Sequence, residues 1–358
     1  MEWRTLDECD VDGIGKTEEM ERKILLVGEP DSKRTLYFQK AAREKGACVE
    51  LLPWKRAEEG SIEFSERDAE EFWVKLDPMK YQSGKLSELN DLLWCYQKRL
   101  AEWEKLPFCY LNSPQSIAQL LNKETCKQML KKAACAVTTS FGLAPQTLEA
   151  FLEYWEKIGN PPLFLKPLLG SGAAGVTALR RQKRRNKMVL YSCAVLEKTE
   201  KGERLLNTKR LQRLEEEAAI CSYLRLLLPL CCQAEYWYPK EKYGEYSYDL
   251  RAVFQFGHLD FLLARLSKGP ITNLQLNNHP LPFEELGLTQ GKVEEIEELC
   301  RQAAACFSGL NSVGIDILLE RGSKMPRIIE MNGQGDLIYQ DIYQENRIYK
   351  RQIDRMNG

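Results

Sequence analysis

The sequence predicts a mixed α/β (α+β) protein built on more than one sheet, and three observations carry that prediction. An apolar strand, a helix and a second strand follow one another between Lys23 and Leu52. Residues 85 to 105 hold an apolar stripe at helical spacing, and beyond Tyr248 apolar strands return around a further amphipathic helix.

The elements follow in order. Lys23-Ile24-Leu25-Leu26-Val27-Gly28 reads as a buried strand ending in a turn, Thr35 to Lys45 as the helix after it and Cys48 to Leu52 as the next strand, a βαβ opening. Leu86, Leu89, Leu92, Leu93, Tyr96, Leu100 and Trp103 share one face of a long helix. Asn112-Ser113-Pro114 supplies a cap and an early proline for a helix near 114 to 121. Strands are expected at Leu163 to Pro167 and Met188 to Ala194, then a charged helical stretch around 203 to 228 that stops near Pro229. From Tyr248 to Phe256 the residues alternate, with Tyr248, Leu250, Ala252, Phe254 and Phe256 facing one way and Asp249, Arg251, Val253 and Gln255 the other. A helix marked by Val293, Ile296, Leu299, Cys300, Ala303, Phe307 and Leu310 precedes two short strands, Gly314 to Leu319 and Arg327 to Met331.

Composition narrows the chemistry. In 358 residues, 51 Lys and Arg stand against 52 Asp and Glu, so no excess charge draws the chain to nucleic acid or an anionic membrane. No run reaches the ~18 apolar residues of a membrane span, and Leu224 to Leu230, the most apolar, is interrupted by Arg225 and Pro229. Neither a signal peptide nor a transit composition opens the chain, so a cytoplasmic location is expected. The 12 cysteines are scattered, without zinc-knuckle spacing, and read as reduced, buried thiols. With two histidines, His258 and His279, an enzyme built on this chain must work through Lys, Arg and carboxylates.

Three groups of residues have that character. Lys166 leaves a strand, and the loop Gly170-Ser171-Gly172-Ala173-Ala174-Gly175 follows; its small residues let backbone N–H groups approach an anion that the lysine also attracts. The order is not that of a Walker A motif, and the same residues also describe a flexible hairpin with a snorkelling lysine. Glu330 and Asn332 leave one face of a strand, and Asp316 lies on the strand before; these hard oxygen donors suit magnesium, or else form strand-end salt bridges. Arg251, Arg265 and Asn273 form a set able to steady a transferring phosphoryl group, with surface ion pairing as the alternative for any single arginine.

Taken in sequence, the lysine, glycine loop, Asp-x-Arg strand, Arg265, Asn273, Asp316 and Glu330-x-Asn332 resemble the ATP-grasp superfamily. The pattern is most similar to its carboxylate–amine ligases of the ribosomal-protein glutamate ligase type, and more distantly to D-alanine:D-alanine ligase. The resemblance covers roughly residues 112 to 335. It implies a polar extension at 1–22, a small pre-ATP-grasp α/β domain at 23–111 and an ATP-grasp domain at 112–350, whose lobes (about 112–235 and about 236–350) clamp ATP. Lys123 and Lys166, with Gly170, Ser171, Gly172 and Gly175, are then expected at ATP phosphates. Glu235 and Trp237 fall at the adenine hinge and Asp249 near ribose or substrate, while Arg265, Arg251 and Asn273 are assigned to catalysis. Asp316, Glu330 and Asn332 are expected to hold one or two Mg2+ ions, with Mn2+ able to substitute. The implied reaction joins a small-molecule or peptide carboxylate to an amine (or thiol) through an acyl phosphate, forming ADP. Departures are Asn122 before Lys123, Trp237 at an aliphatic position, and Gly333-Gln334-Gly335-Asp336-Leu337 where the family tends toward Pro-Gly.

Other readings remain open on the sequence. A kinase would use the same ATP site with a hydroxyl acceptor, and a non-catalytic regulator would bind ATP alone. Nucleic-acid binding is not expected: its one support is the basic run Arg180 to Lys187, which also reads as a solvated hairpin tip.

Overall fold

The computed structural model describes residues 23–58, 66–81, 83–170, 172–182, 187–200 and 202–357. The polar extension at 1–22, Ser171 and the centre of the basic run lie outside the described residues.

The βαβ opening forms as the apolar pattern dictates. Strand Lys23–Gly28 pairs in parallel with Val49–Pro53 and, on its other side, with Phe72–Leu76, and short Cys109–Tyr110 completes a four-stranded sheet. Helix Lys33–Lys45 crosses between the first two strands, its first turn capped by Ser32, whose side chain accepts from Thr35 N–H. The long stripe becomes helix Leu86–Trp103, and Ser113 caps helix Pro114–Leu121. Asn112 does other work: its amide donates to the carbonyls of Ser312 and Gly333 and accepts from the N–H of Asn311 and Ser312, tying the first sheet to the third.

The second sheet is antiparallel, in the order Ser140–Leu143, Cys232–Tyr236, Leu163–Pro167, Thr177–Gln182, Lys187–Thr199, Gly202–Leu214. The helix expected around 203 to 228 is corrected here, because residues 202 to 214 form the outer strand of a long hairpin and only Glu217–Leu227 is helical. Gly202, at φ 118°, closes the turn, and Leu205 then buries in the core under this sheet. Strand pairing and that burial outweigh the helical preference of a charged segment.

The third sheet runs His279–Pro282, His258–Ser267, Tyr246–Gln255, Ser312–Leu319, Pro326–Asn332, all antiparallel. Tyr248, Leu250, Ala252 and Phe254 enter one core with helix Gln290–Ala304, as their alternation predicts. Val253 faces the opposite side, into a core shared with Ile24, Phe38 and helix Arg347–Asn357. Phe256 joins that second side because it lies past the strand's end at φ 49°. No helix among the described residues is long and apolar enough to cross a membrane.

Candidate active site

The second and third sheets contribute side chains to one cleft. From the second come Lys166, on Leu163–Pro167, and Glu235, on the neighbouring Cys232–Tyr236, where Glu235 pairs with Phe164. Lys166 Nζ donates to Glu235 Oε1 at 2.8 Å, and Lys127 Nζ lies 3.1 Å from Oε2 as a charge contact. All three are buried. Burial pushes the Glu235 carboxyl up, but the two ammonium charges outweigh it and hold the group below its ordinary value. Lys127 also donates to Thr138 Oγ1 at 2.5 Å and to the carbonyls of Ile328 and Ile329, so it stitches the second sheet to the third behind the cleft.

The third sheet's polar face supplies the opposite wall. Asp249 stands opposite Arg265, Arg251 opposite Asp316, and Asp316 opposite Glu330. Arg265 Nε donates to Asp249 Oδ1 at 2.7 Å and its Nη2 lies 3.0 Å from Asp316 Oδ2, while Arg251 Nε reaches Asp316 Oδ1 at 2.5 Å. Lys240 Nζ, 3.2 Å from Asp249 Oδ2, and the Thr272 hydroxyl complete the chain. Burial raises the pKa of both aspartates, yet the cations more than reverse it: Arg265 and then Lys240 at Asp249, Arg251 and then Arg265 at Asp316. Glu330, by contrast, takes no hydrogen bond or ion pair from any described residue. Asn332 Oδ1 accepts from Gln334 N–H at 3.4 Å.

Four cavities border Glu330, the smallest of them, about 10 Å³, lying behind it against Lys123 and Lys127. One of about 70 Å³ runs between the sheets past Lys166, Glu235, Asp249, Arg265, Asn273 and Asp316. A second, of about 130 Å³, is bordered by Arg251, Arg265, Asn273, Asn332 and Gly172. The third, about 320 Å³, has Lys123, Gly170, Gly172 and Asn332 in its wall. Lys123 is buried and donates to Gly170 O at 2.9 Å; burial lowers its pKa. Its ammonium therefore holds the glycine loop. At Gly172, φ 65°, a Cβ would stand 2.6 Å from Gln275 Oε1, so the loop's close approach to the third sheet requires glycine there. Asn273 sets up that contact by accepting from Gln275 N–H at 2.9 Å.

Most sequence-predicted site residues among the described ones thus converge, with Gly175 set apart. Gly175 lines none of these cavities and packs against Pro167 and Leu86. Trp237 borders a cavity of about 770 Å³ that adjoins the cleft at Tyr236, Lys240 and Pro270, and its ring lies under Arg180 and beside Tyr191. Its N–H donates to Pro162 O, and that of Tyr236 to Thr139 O. Lys127 and Lys240 escaped the sequence reading. A signal for Lys127 existed, since it follows Lys123 by one turn on helix Lys123–Lys132 and shares its buried face.

The segment after Asn332 has a structural reason for its departure. Gly335 lies against Gly314 so closely that a Cβ on it would be 2.6 Å from Gly314 Cα. This turn carries Asp336 back to the first sheet, where it accepts from Lys75 Nζ at 2.9 Å, from Arg34 and from Gln352.

No protein-family model and no curated protein matches the chain. Solved structures do. The ATP-grasp ligase PsnB in complex with a minimal precursor aligns with a TM-score of 0.57 at 16% identity, covering 94% of this chain and 98% of that one. The macrocyclase MdnC bound with precursor peptide MdnA, from Microcystis aeruginosa, gives 0.57 at 13%, over 93% and 99%. A Chryseobacterium gregarium RiPP-associated ATP-grasp ligase in complex with ADP and a leader and core peptide gives 0.57 at 13%, over 94% and 96%. At such identities the likeness is one of architecture, and that architecture is the ATP-grasp fold.

Proposed function

We propose that this chain is an ATP-dependent ligase that joins a carboxylate to an amine (or thiol) through an acyl phosphate, releasing ADP. The three larger of the four cavities bordering Glu330 support the reading most directly. A ligase must bring a nucleotide, an acyl donor and a nucleophile to one point, whereas a kinase needs two rooms. The cleft between the sheets takes the nucleotide. Lys123, Lys127, Lys166, Lys240, Arg251 and Arg265 face Asp249, Asp316, Glu235 and Glu330 around it, leaving positive charge in excess for a triphosphate.

At about 70 Å³ the cleft is narrower than a nucleotide, so the glycine loop must lift from Gln275 for ATP to enter. Its return excludes water, which an acyl phosphate requires. The substrate carboxylate oxygen attacks the γ-phosphorus and ADP departs; the amine then attacks the acyl carbon, and inorganic phosphate and a proton leave. Arg265 and Arg251, fixed by their carboxylates, donate to the transferring phosphoryl oxygens without reorganising. Two donors fit magnesium, the Glu330 carboxylate, which takes no salt bridge, and the Asn332 amide oxygen, and they would hold it; Asp316, with both oxygens on Arg251 and Arg265, would join them only by giving up an arginine. When bound, the metal neutralises charge on the phosphate oxygens. Precursor peptides in the structures this fold resembles support a peptide or small-molecule carboxylate as substrate.

The test is ADP release together with hydroxylamine trapping of the acyl phosphate across a panel of carboxylates. Lys166→Ala and Glu330→Gln should each abolish both signals and leave the circular dichroism spectrum unchanged. Near-native ADP production by either variant would overturn the site.

A further inference from the structure

The cavity of about 320 Å³ differs in character from the other two larger cavities at Glu330. It lies where helices Leu86–Trp103 and Pro114–Leu121 meet the glycine loop and the segment after Asn332. Its long wall is apolar, formed by Leu89, Leu92, Leu93, Ile117, Leu120 and Met79. Most of these side chains also serve a hydrophobic core. Leu92 does not: its stripe mates Leu86, Leu89 and Leu93 pack under the second sheet and Tyr96, Leu100 and Trp103 under the first, while Leu92 enters neither core and faces the cavity. Folding makes no use of this half-buried leucine.

The opposite end is cationic. Arg34 and Lys123 line it beside Glu330 and Asn332. Arg34 is committed to Asp336. Lys123, only 8% exposed, forms no salt bridge with a described residue: its ammonium donates to the Gly170 carbonyl and feels the Glu330 charge across the cavity. A buried ammonium that makes no salt bridge, at the polar end of a chamber with one continuous apolar wall, points to an anion carried on a greasy body.

We propose that this cavity selects a carboxylate borne on an apolar group of amino-acid to dipeptide size, and that Leu92 is a specificity-determining residue. The volume sits at the lower end of the ~300–1,000 Å³ range of small-molecule sites. A second carboxylate on the ligand would be driven against the wall of Leu89, Leu92 and Leu93, where no cation meets it, so dicarboxylates are disfavoured. The inference rests on the ligase reading for the fate of the carboxylate and not for its binding.

The experiment therefore reads binding and chemistry separately. With the full chain and Mg-AMPPNP, dissociation constants for 4-methylvalerate and L-phenylalanine are compared with those for glutarate and L-glutamate by saturation-transfer NMR. The apolar probes should bind at least tenfold more tightly. Leu92→Trp, which fills the chamber, and Leu92→Glu, which places a carboxylate in its wall, should each weaken them by tenfold or more while Mg-AMPPNP affinity stays within twofold. Equal or tighter binding of glutarate, or unchanged affinity in both variants, overturns the proposal. If the apolar probes bind as expected but no hydroxamate forms from any of them, the chamber stands and the ligase reading fails.

Discussion

Glu235→Gln tests how the cleft is held before nucleotide arrives. The carboxylate touches Lys166 at 2.8 Å and Lys127 at 3.1 Å, and it is 2% exposed. Replacing it with an amide leaves two buried ammonium groups facing a neutral side chain. Breaking a buried ion pair from one side costs about 3–5 kcal/mol. Lys127 keeps three oxygen contacts, to Thr138, Ile328 and Ile329, so the lower end of that range is expected. At ~2.1 cal/mol/K of unfolding entropy per residue, a chain of 358 residues loses about 1.3 °C of Tm per kcal/mol, giving a fall of about 4 °C. The pH dependence follows from the same pair. Because the folded Glu235 carboxyl sits below its ordinary value, its contribution is present above the unfolded pKa and disappears as pH falls through the folded one. The acid limb of the stability curve should therefore flatten in the variant, and the two proteins should converge at low pH. Phosphate groups would neutralise the orphaned lysines, so saturating MgATP should raise the variant's Tm by more than the wild type's. Urea and thermal unfolding between about pH 2 and pH 8 check all three. Stability within 0.5 kcal/mol of wild type across that range, with equal MgATP shifts, would refute the reasoning.

Three further outcomes are expected. Gly335→Ala puts a methyl group against the backbone of Gly314, which cannot yield as a side chain would, so the loss should reach the upper end of the ~1–3 kcal/mol typical of overpacking, measured by urea unfolding. Asp336→Asn leaves Arg34 and Lys75 with Asp77 as their remaining carboxylate and should lower Tm by a similar amount to Glu235→Gln; an unchanged Tm would show that this network does not join the first sheet to the rest. Burial holds Lys123 and Lys127 below their ordinary values, and a bound phosphate favours their charged forms, so MgATP should bind with net proton uptake on the alkaline side of neutrality. Calorimetry in buffers of different ionisation enthalpy reads this directly, and Lys123→Met should diminish it.

What the sequence discloses of this site depends on whether a residue's role is local. Glu330 and Asn332 share a face because strands alternate, and Asp249 and Arg251 are conspicuous because they interrupt an apolar strand; both signals are readable from spacing. Lys240 is not, because it becomes a site residue only through Asp249 and Thr272, and Lys127's spacing from Lys123 marks a shared helix face without disclosing Glu235 as its partner. The same limit explains the outer strand Gly202–Leu214. Its charged residues favour a helix locally, and the hairpin partner that overrides them lies in Lys187–Thr199. Asp336 likewise reads as a loop acid until Lys75 and Arg34, some 260 and 300 positions earlier, are brought to it.

The register of the third sheet places Asp316 directly opposite Glu330, and like charges in that relation repel. The fold could relieve both carboxylates in the same way, yet it treats them differently. Both oxygens of Asp316 are taken by guanidinium groups, and Arg265 is itself anchored by Asp249, so this charge is balanced within the protein. Glu330 receives nothing comparable, although Arg251 and Arg265 border the same cavity and Lys123 lies across another. A partly enclosed carboxylate beside a neutralised twin, with an amide oxygen two residues along on its own face, is an arrangement whose missing term is positive. A divalent cation arriving with a polyphosphate supplies that term only while the nucleotide is present, which would couple closure of the cleft to its occupancy. On this argument, Glu330→Gln should stabilise the nucleotide-free chain by removing the repulsion and weaken the thermal shift produced by MgATP. A variant less stable than wild type without nucleotide would show that Glu330 already has its counter-charge.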